Sequence, residues 1–334
     1  NVIHGRTYNP WNDWASPGGS SGGASAAVMS GMGSLAHGND IAGSLRIPST
    51  ATGACTVKPG LGRVPAFNPS QTQERGLVAQ LMSVQGIIAR EIKDVRLGMQ
   101  SLINYDPRDP WMVDMPFQSK GIKPPTKVGF TKETLGEPLH PAINRALENA
   151  IDALKDAGYI LEEIELPEFE DAANFSAKTL FGEIKAMHEK DYKKMGSEDF
   201  NLVADNYFKI ISPFEGEDLL LGMAKRSYFF REWNLFFRKY PLVLTPFLLY
   251  PTYQWNRDTQ GIEGTKEVLA GMFYAHTMNY MGIPAGVVSA NYNDGLPVGV
   301  QIISTRFRED IILNACEEIE KRVGIMAEKL FERG

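Results

Sequence analysis

Residues 16–23 read S-P-G-G-S-S-G-G. Glycines enclose two adjacent serines, Ser20 and Ser21. Such a run is a flexible linker, a phosphate cradle, or a turn that holds a serine for catalysis. The flanking sequence decides among them. A P-loop needs Gly-Lys-Ser/Thr after its glycines, and the chain has no such step. The spacing Gly18-x-Ser20-x-Gly22 fits a nucleophile elbow, but an elbow must follow a buried strand. The residues before it, NPWNDWASP, are polar and broken by proline, so no strand is expected there. GMGSLA (31–36) has the spacing of a dinucleotide fingerprint, yet it falls late in a helical stretch and not after a strand.

The totals narrow the class. With 334 residues and 43% hydrophobic composition, the chain can build a large core without disulfide staples. The formal net charge of -6 speaks against nucleic-acid binding, which calls for a basic patch. No apolar run reaches membrane-spanning length, so no membrane partner is expected. Cys55 and Cys316 are outside any C-x-x-C and read as buried free thiols. That places the protein in a reducing compartment, with the cytoplasm as the expected location. MHEKDYKK (187–194) lacks the second histidine of a zinc helix, and neither a metal nor a cofactor is expected. The chain begins at Asn1 in what already reads as mid-domain sequence, so an N-terminal part is expected to be missing.

Outward from the serine turn, GGASAAVMSGMGSLAH (22–37) predicts a helix buried on all sides by small residues. Residues 38–66 read as loop with short extended pieces. In GIIAREIKDVRLGMQSLI, from residue 86, Ile88, Ile92, Val95 and Met99 recur at helical spacing. PTKVGFTKE (125–133) predicts a strand, Pro141 to Gly158 an amphipathic helix, and YILEEIELP the next strand. Strand, helix and strand make a βαβ unit, hence a parallel or mixed sheet. Residues 170–235 read as mainly helical. PLVLTPFLLYPTYQW (241–255) predicts an apolar strand broken by prolines. IPAGVVSA and LPVGVQIIS predict two strands joined at Asn293-Asp294-Gly295, followed by a helix over 308–323. The expected architecture is α/β: one domain over 1–334, a mixed central sheet flanked by helices, and a helical insertion at about 165–240 on the substrate side.

The stretch that extends from the serine turn to Pro59 carries more than its parts. It places Gly38-Asn39-Asp40-Ile41-Ala42-Gly43-Ser44-Leu45-Arg46-Ile47-Pro48-Ser49 and then Gly53 to Pro59 behind G-G-S-S-G-G. Taken together these resemble the amidase signature family, which carries G-G-S-S-G-G, then G-(T/N)-D-x-(G/A)-G-S-(I/L)-R-x-P-(S/A), then G-x-x-x-(V/L)-K-P. QGIIAREIKDV (85–95) is similar to that family's G-P-(I/L)-A-R-x-x-x-D, with Ile87 in place of proline. NYMGIPAGVVSANYNDGLPVGVQIIS resembles its C-terminal N-x-x-G-x-P-A and G-L-P-x-G-x-Q elements. The likeness spans nearly the whole chain, with an unspecific helical middle.

The resemblance implies an amidohydrolase that works through a seryl acyl-enzyme. It puts the nucleophile at Ser44 and a proton-relaying serine, preceded by a cis peptide bond, at Ser20. It puts the oxyanion donors on the backbone of Ile41, Ala42, Gly43 and Ser44, with Ser21, Asp40 and Arg46 supporting them. An ordinary surface ion pair is the competing account of Asp40 and Arg46. Asn39 and Ala42 stand where the family usually has Thr and Gly. The family's catalytic lysine lies upstream of the serine turn, and none of the residues before Ser20 is a lysine. Lys58 matches a different, structural position. Phe247, Leu248, Tyr250, Tyr253 and Trp255 fall where the family shapes its acyl pocket. They imply a small, fairly apolar amide as substrate, with plain core packing as the competing account. Two other readings stay open: the glutaminase subunit of a tRNA-dependent amidotransferase, and an inactive amidase-like binding paralogue. A homodimer is also open.

Overall fold

The computed structural model describes residues 2–117, 124 and 126–333. Its strands are β1 (Leu35–Asp40), β2 (Cys55–Lys58), β3 (Val84–Ala89), β4 (Lys127–Phe130), β5 (Ile160–Glu163), β6 (Leu242–Pro246), β7 (Ala285–Asn293) and β8 (Leu296–Ile303). They form one 8-stranded sheet in the order β1-β3-β2-β7-β8-β6-β4-β5. The β4 strand runs parallel to β5 and β6, and the other pairs are antiparallel. The helices in chain order are α1 (Gly22–Met29), α2 (Arg46–Thr52), α3 (Leu77–Met82), α4 (Ile92–Leu102), α5 (Pro141–Asp156), α6 (Phe169–Met195), α7 (Glu198–Ile211), α8 (Gly216–Phe237), α9 (Gly261–Ala270), α10 (Phe273–Met281), α11 (Glu309–Val323) and α12 (Met326–Phe331).

The central strands are apolar on both faces because helices cover both. Leu242 and Leu244 pack with Ile143, Leu147 and Leu154 of α5 and Ile311, Ile312 and Ile319 of α11. Val243, between them, points the other way, into a cluster with Phe169 of α6, Trp233 of α8 and Phe273 of α10. This is the period-2 alternation of a strand. Each such buried aliphatic side chain contributes roughly 1.5–3 kcal/mol. A third cluster joins Met29 of α1, Leu45, Ile88 of β3 and Met326 of α12.

The α5 helix begins as its sequence predicts. Pro141 opens it, and the His140 ring accepts the Ala142 N–H at 3.2 Å. The β4-α5-β5 unit is parallel. The strand expected over 125–133 is β4, and Pro125 lies outside the described residues. At the β7–β8 hairpin, Asp294 and Gly295 both have positive φ, at 49° and 81°, as a type I′ turn requires. The stretch after residue 165 contains α6, α7 and α8. Cys55 and Cys316 are free and buried. Among the described residues no helix is long and apolar enough to cross a membrane.

Three expectations need correction. The helix expected over 22–37 stops at Met29, and Leu35–Asp40 is instead β1, paired with Val84–Ala89. Nor is that helix buried all round, since Gly23 is exposed. Ile88 is not helical: β3 ends at Ala89 and α4 starts only at Ile92. A short run buried on both faces matches a helix and a strand equally well, which is why periodicity misreads it. The supposed loop over 38–66 contains α2, whose Pro48 sits in the first turn, where a missing N–H does no harm.

Candidate active site

The chain between β1 and α2 turns sharply, and one carboxylate organises the turn. Asp40 accepts N–H bonds from Gly43 at 2.7 Å, Leu45 at 3.2 Å and Arg46 at 3.4 Å. Its oxygens also take Arg46 Nε at 3.0 Å and Nη2 at 3.1 Å. Both side chains are fully buried, so this is no surface ion pair. Burial pushes the Asp40 carboxyl up, but the Arg46 guanidinium and the Gly43 N–H outweigh it and hold it below its ordinary value. Arg46 is itself fully engaged. Nη1 donates to Gln301 Oε1 at 2.8 Å, and Nη2 donates to Ala275 O at 2.9 Å and to Asn279 Oδ1. The guanidinium also lies over the Phe247 ring, 5.3 Å from its centroid.

Gly43 makes the turn possible. Its φ is +105°, and a Cβ there would lie 2.7 Å from both Ala275 Cβ and Ile47 Cδ1. Its N–H is committed to Asp40, whereas those of Ile41, Ala42 and Ser44 have no acceptor among the described residues.

The serine turn packs against this loop. The Gly19–Ser20 peptide bond is cis. The Ser21 N–H donates to Ser44 O at 3.2 Å. A Cβ on Gly18 would sit 2.9 Å from Pro48 Cα, and one on Gly38 would sit 2.8 Å from Ser21 Oγ. Ser20 is exposed and Ser44 half-buried. Among the described residues neither hydroxyl is hydrogen-bonded to another group, so both stay available. Among the described residues the isolated Ala15–Gln254 bridge, and no strand, precedes the turn, in line with setting the elbow aside.

Lys58 lies at the end of β2, fully buried, and donates to Pro59 O at 2.9 Å. Burial and then Arg46 bring its pKa down to about 7. It makes no hydrogen bond to Ser20 or Ser44.

The five aromatic and apolar candidates divide. Phe247, Leu248 and Tyr250 join the cluster against which Ile41 and Ala42 pack. Phe247 and Leu248 are sealed core residues, 0% and 1% exposed. Tyr253 and Trp255 also bond through their backbones. The Ser16 N–H donates to Tyr253 O at 2.8 Å, and the Trp255 N–H donates to Trp14 O at 2.9 Å. Both anchor the segment that leads into the serine turn.

Several residues of the site were not singled out from the sequence. Asn279 donates to Asp40 O at 2.8 Å and to Met82 O at 2.9 Å, and Gln301 receives Arg46. Both lie inside the C-terminal motifs, as the N of N-x-x-G-x-P-A and the Q of G-L-P-x-G-x-Q, so the signal was present without its meaning. Asn39, in place of Thr, donates to Ser83 Oγ at 2.7 Å and Val84 O at 3.1 Å. Glu183 of α6 accepts the N–H groups of Val78 and Ala79, both at 2.7 Å, and so caps α3. No sequence pattern announces that contact.

The candidate site thus combines a buried carboxylate–guanidinium brace, a loop with open N–H groups and two accessible serines. The chain belongs to the Amidase family, whose model matches residues 1–313, and is a hydrolase acting on amides. It is 39% identical over 333 residues to the indoleacetamide hydrolase of Bradyrhizobium japonicum, covering 99% of this chain and 72% of that protein. It is 40% identical to the indoleacetamide hydrolase of Bradyrhizobium diazoefficiens, again over 99% of this chain but 64% of the relative. The chain therefore spans about two thirds of the length of these relatives. A bacterial aryl acylamidase of the amidase signature family shares the fold, with a TM-score of 0.77 at 24% identity, over 98% of this chain and 70% of that one.

Proposed function

We propose that the protein hydrolyses a small aryl-substituted acetamide through an acyl-enzyme on Ser44, releasing ammonia and the carboxylate. The observation that carries this is the Asp40–Arg46 brace, which fixes residues 41–44 while leaving the N–H groups of Ile41, Ala42 and Ser44 open. Fixed backbone donors aimed at a developing oxyanion need no rearrangement during reaction, and each is worth about 3–4 kcal/mol. Of the four expected donors, Gly43 has its N–H on Asp40, so the proposed oxyanion donors are Ile41, Ala42 and Ser44.

Ser44 Oγ attacks the amide carbon, and its proton passes to Ser20. Ser20 hands a proton on to a general base and later returns one to the leaving nitrogen, so the C–N bond breaks as N–H forms. Water then cleaves the ester by the same route. The exposed Ser20 hydroxyl is open to that base. The buried Lys58 is not assigned the part, because its Nζ is turned to Pro59 O. The aromatic character of the acyl group is supported by the apolar cluster behind Ile41 and Ala42 and by the names of the two relatives.

The test is ammonia release from indole-3-acetamide together with labelling by a fluorophosphonate probe. Both should vanish in Ser44→Ala, and Ser20→Ala should label slowly. Undiminished labelling of Ser44→Ala would remove the nucleophile assignment. Ammonia from glutamine but not from aryl acetamides would favour the glutaminase reading. Absence of both activities, with a folded protein, would favour the binding paralogue.

A further inference from the structure

A cavity of about 640 Å³ lies between the chain that leads into α3 and the loop after α4. That size suits a small molecule, whose sites run roughly 300–1,000 Å³. No residue of its lining belongs to the 18–46 stretch. Most of its polar groups are already engaged. Asp109 accepts the Ala66 and Trp111 N–H groups, both at 2.8 Å. Arg108 pairs with Asp106 and lies over the Phe67 ring. The Trp111 indole N–H donates to Gln80 Oε1 at 3.0 Å, and Gln80 Nε2 donates to Arg75 O at 2.7 Å.

Two donors of the lining are not engaged. Ser83 is 4% exposed, and its Oγ accepts Arg75 Nη1 and Asn39 Nδ2, both at 2.7 Å. Neither nitrogen can accept a proton in return. Asn39 Nδ2 also donates to Val84 O at 3.1 Å, which fixes the amide this way round, since Oδ1 there would face a carbonyl. Both lone pairs of the Ser83 hydroxyl are therefore spent, and its proton points away from both partners. No acceptor meets it among the described residues. The second donor is Arg75 itself. Its half-buried guanidinium bonds through Nη1 to Ser83 and makes no ion pair among the described residues. Glu74, also of the lining, is exposed and out of ion-pair reach of it. An uncompensated cation and a buried O–H thus stand 2.7 Å apart with no acceptor between them. Phe67 and Trp111 add flat apolar surface to the same lining, 44% and 37% exposed.

We propose that this cavity is a second binding site, for a small aromatic carboxylate. The carboxylate accepts the free Arg75 N–H groups and the Ser83 proton, and the ring lies on Phe67 and Trp111. Bonds from a guanidinium and a hydroxyl to a carboxylate are the strong, charge-assisted kind. The site stands apart from the amide-hydrolase reading, yet it is joined to the catalytic loop: the hydroxyl that meets the ligand also holds Asn39, the neighbour of Asp40.

Calorimetric titration of the protein with benzoate, nitrobenzene and acetate tests this. Benzoate should bind. Nitrobenzene, its neutral isostere, and acetate, which lacks the ring, should each bind about tenfold more weakly or worse. Arg75→Met should weaken benzoate by about tenfold or more, Arg75→Lys should recover part of the loss, and Ser83→Ala should weaken it about threefold to tenfold. Thermal melts without ligand show which variants are folded. A wild type that binds nitrobenzene or acetate as tightly as benzoate, or binds no benzoate, overturns the inference even if no variant folds. So does undiminished benzoate binding in folded Arg75→Met. So does benzoate binding that disappears once Ser44 is capped with a fluorophosphonate, since the ligand then sits at the catalytic serine. The wild-type comparison stands whether or not Ser44 takes that probe.

Discussion

Asp40→Asn keeps the size of the side chain and removes its charge. The carboxylate now faces three backbone N–H groups and two Arg46 nitrogens. A carboxamide offers one acceptor oxygen, and its NH2 end must point at donors. At least one buried N–H is then orphaned, at about 1–3 kcal/mol, and the buried guanidinium loses its counter-charge. Breaking a buried pair from one side costs about 3–5 kcal/mol. Set against a native stability of about 5–15 kcal/mol, this leaves a marginal protein. Urea unfolding should show the loss. In protein that remains folded, kcat on an aryl acetamide should fall about 10²–10³-fold, as for loss of an oxyanion donor. The acid limb gives an independent check. Because the folded pKa of Asp40 is depressed, its contribution is present above the ordinary carboxylate pKa and is lost as pH falls through the depressed value. Asp40→Asn should lack that component. If the variant unfolds within about 1 kcal/mol of wild type and keeps its kcat, the carboxylate does not hold the loop.

Gly43→Ala should destabilise by about 1–3 kcal/mol through the 2.7 Å contacts and the positive φ, and should reduce kcat as the loop shifts; thermal melts and initial rates would check both. Lys58→Met should flatten the pH dependence of stability on the alkaline side. A lysine with pKa about 7 when folded and about 10.4 when unfolded makes stability rise with pH across that window. Urea midpoints taken between neutral pH and pH 10 would refute this if wild type and variant rise together. Glu183→Ala should cost about 1–3 kcal/mol by removing both acceptors at the start of α3. It should also lower kcat, because Met82 O and Ser83 Oγ hold Asn279 and Asn39; Glu183→Gln should lose less on both measures.

How much of this was legible depended on the range of the interaction. The α5 helix announced itself through Pro141 and Gly158, and the β7–β8 hairpin through Asp294-Gly295, because caps and turns are set by neighbouring residues. The β3 strand was misread since Ile87, Ile88 and Ala89 are buried on both faces and show no alternation. The core of the site was legible as a pattern: Ser20, Ser21, Asp40, Ser44 and Arg46 lie in one contiguous stretch. The meaning of the pattern was not. Nothing local says that the Gly43 N–H turns to Asp40, or that Arg46 is buried under Phe247. Tyr253 and Trp255 stand where the resembled family shapes its acyl pocket, and nothing in that placement says that their backbones also hold the segment before Ser20. Side-chain type signals burial well and backbone bonding hardly at all.

The brace has a consequence for how the protein becomes active. Arg46 bonds to Ala275, Asn279 and Gln301, which lie 229, 233 and 255 residues further along the chain. During synthesis the entire serine motif emerges long before these partners exist, and contacts of such separation form slowly. A fragment ending before α10 would contain every residue of the motif and the Asp40 bonds within it, but none of the contacts that tie Arg46 to Ala275, Asn279 and Gln301. If Ser44 is the nucleophile proposed above, its covalent labelling in a refolding or pulse-synthesis experiment would time the moment at which the C-terminal partners of Arg46 dock.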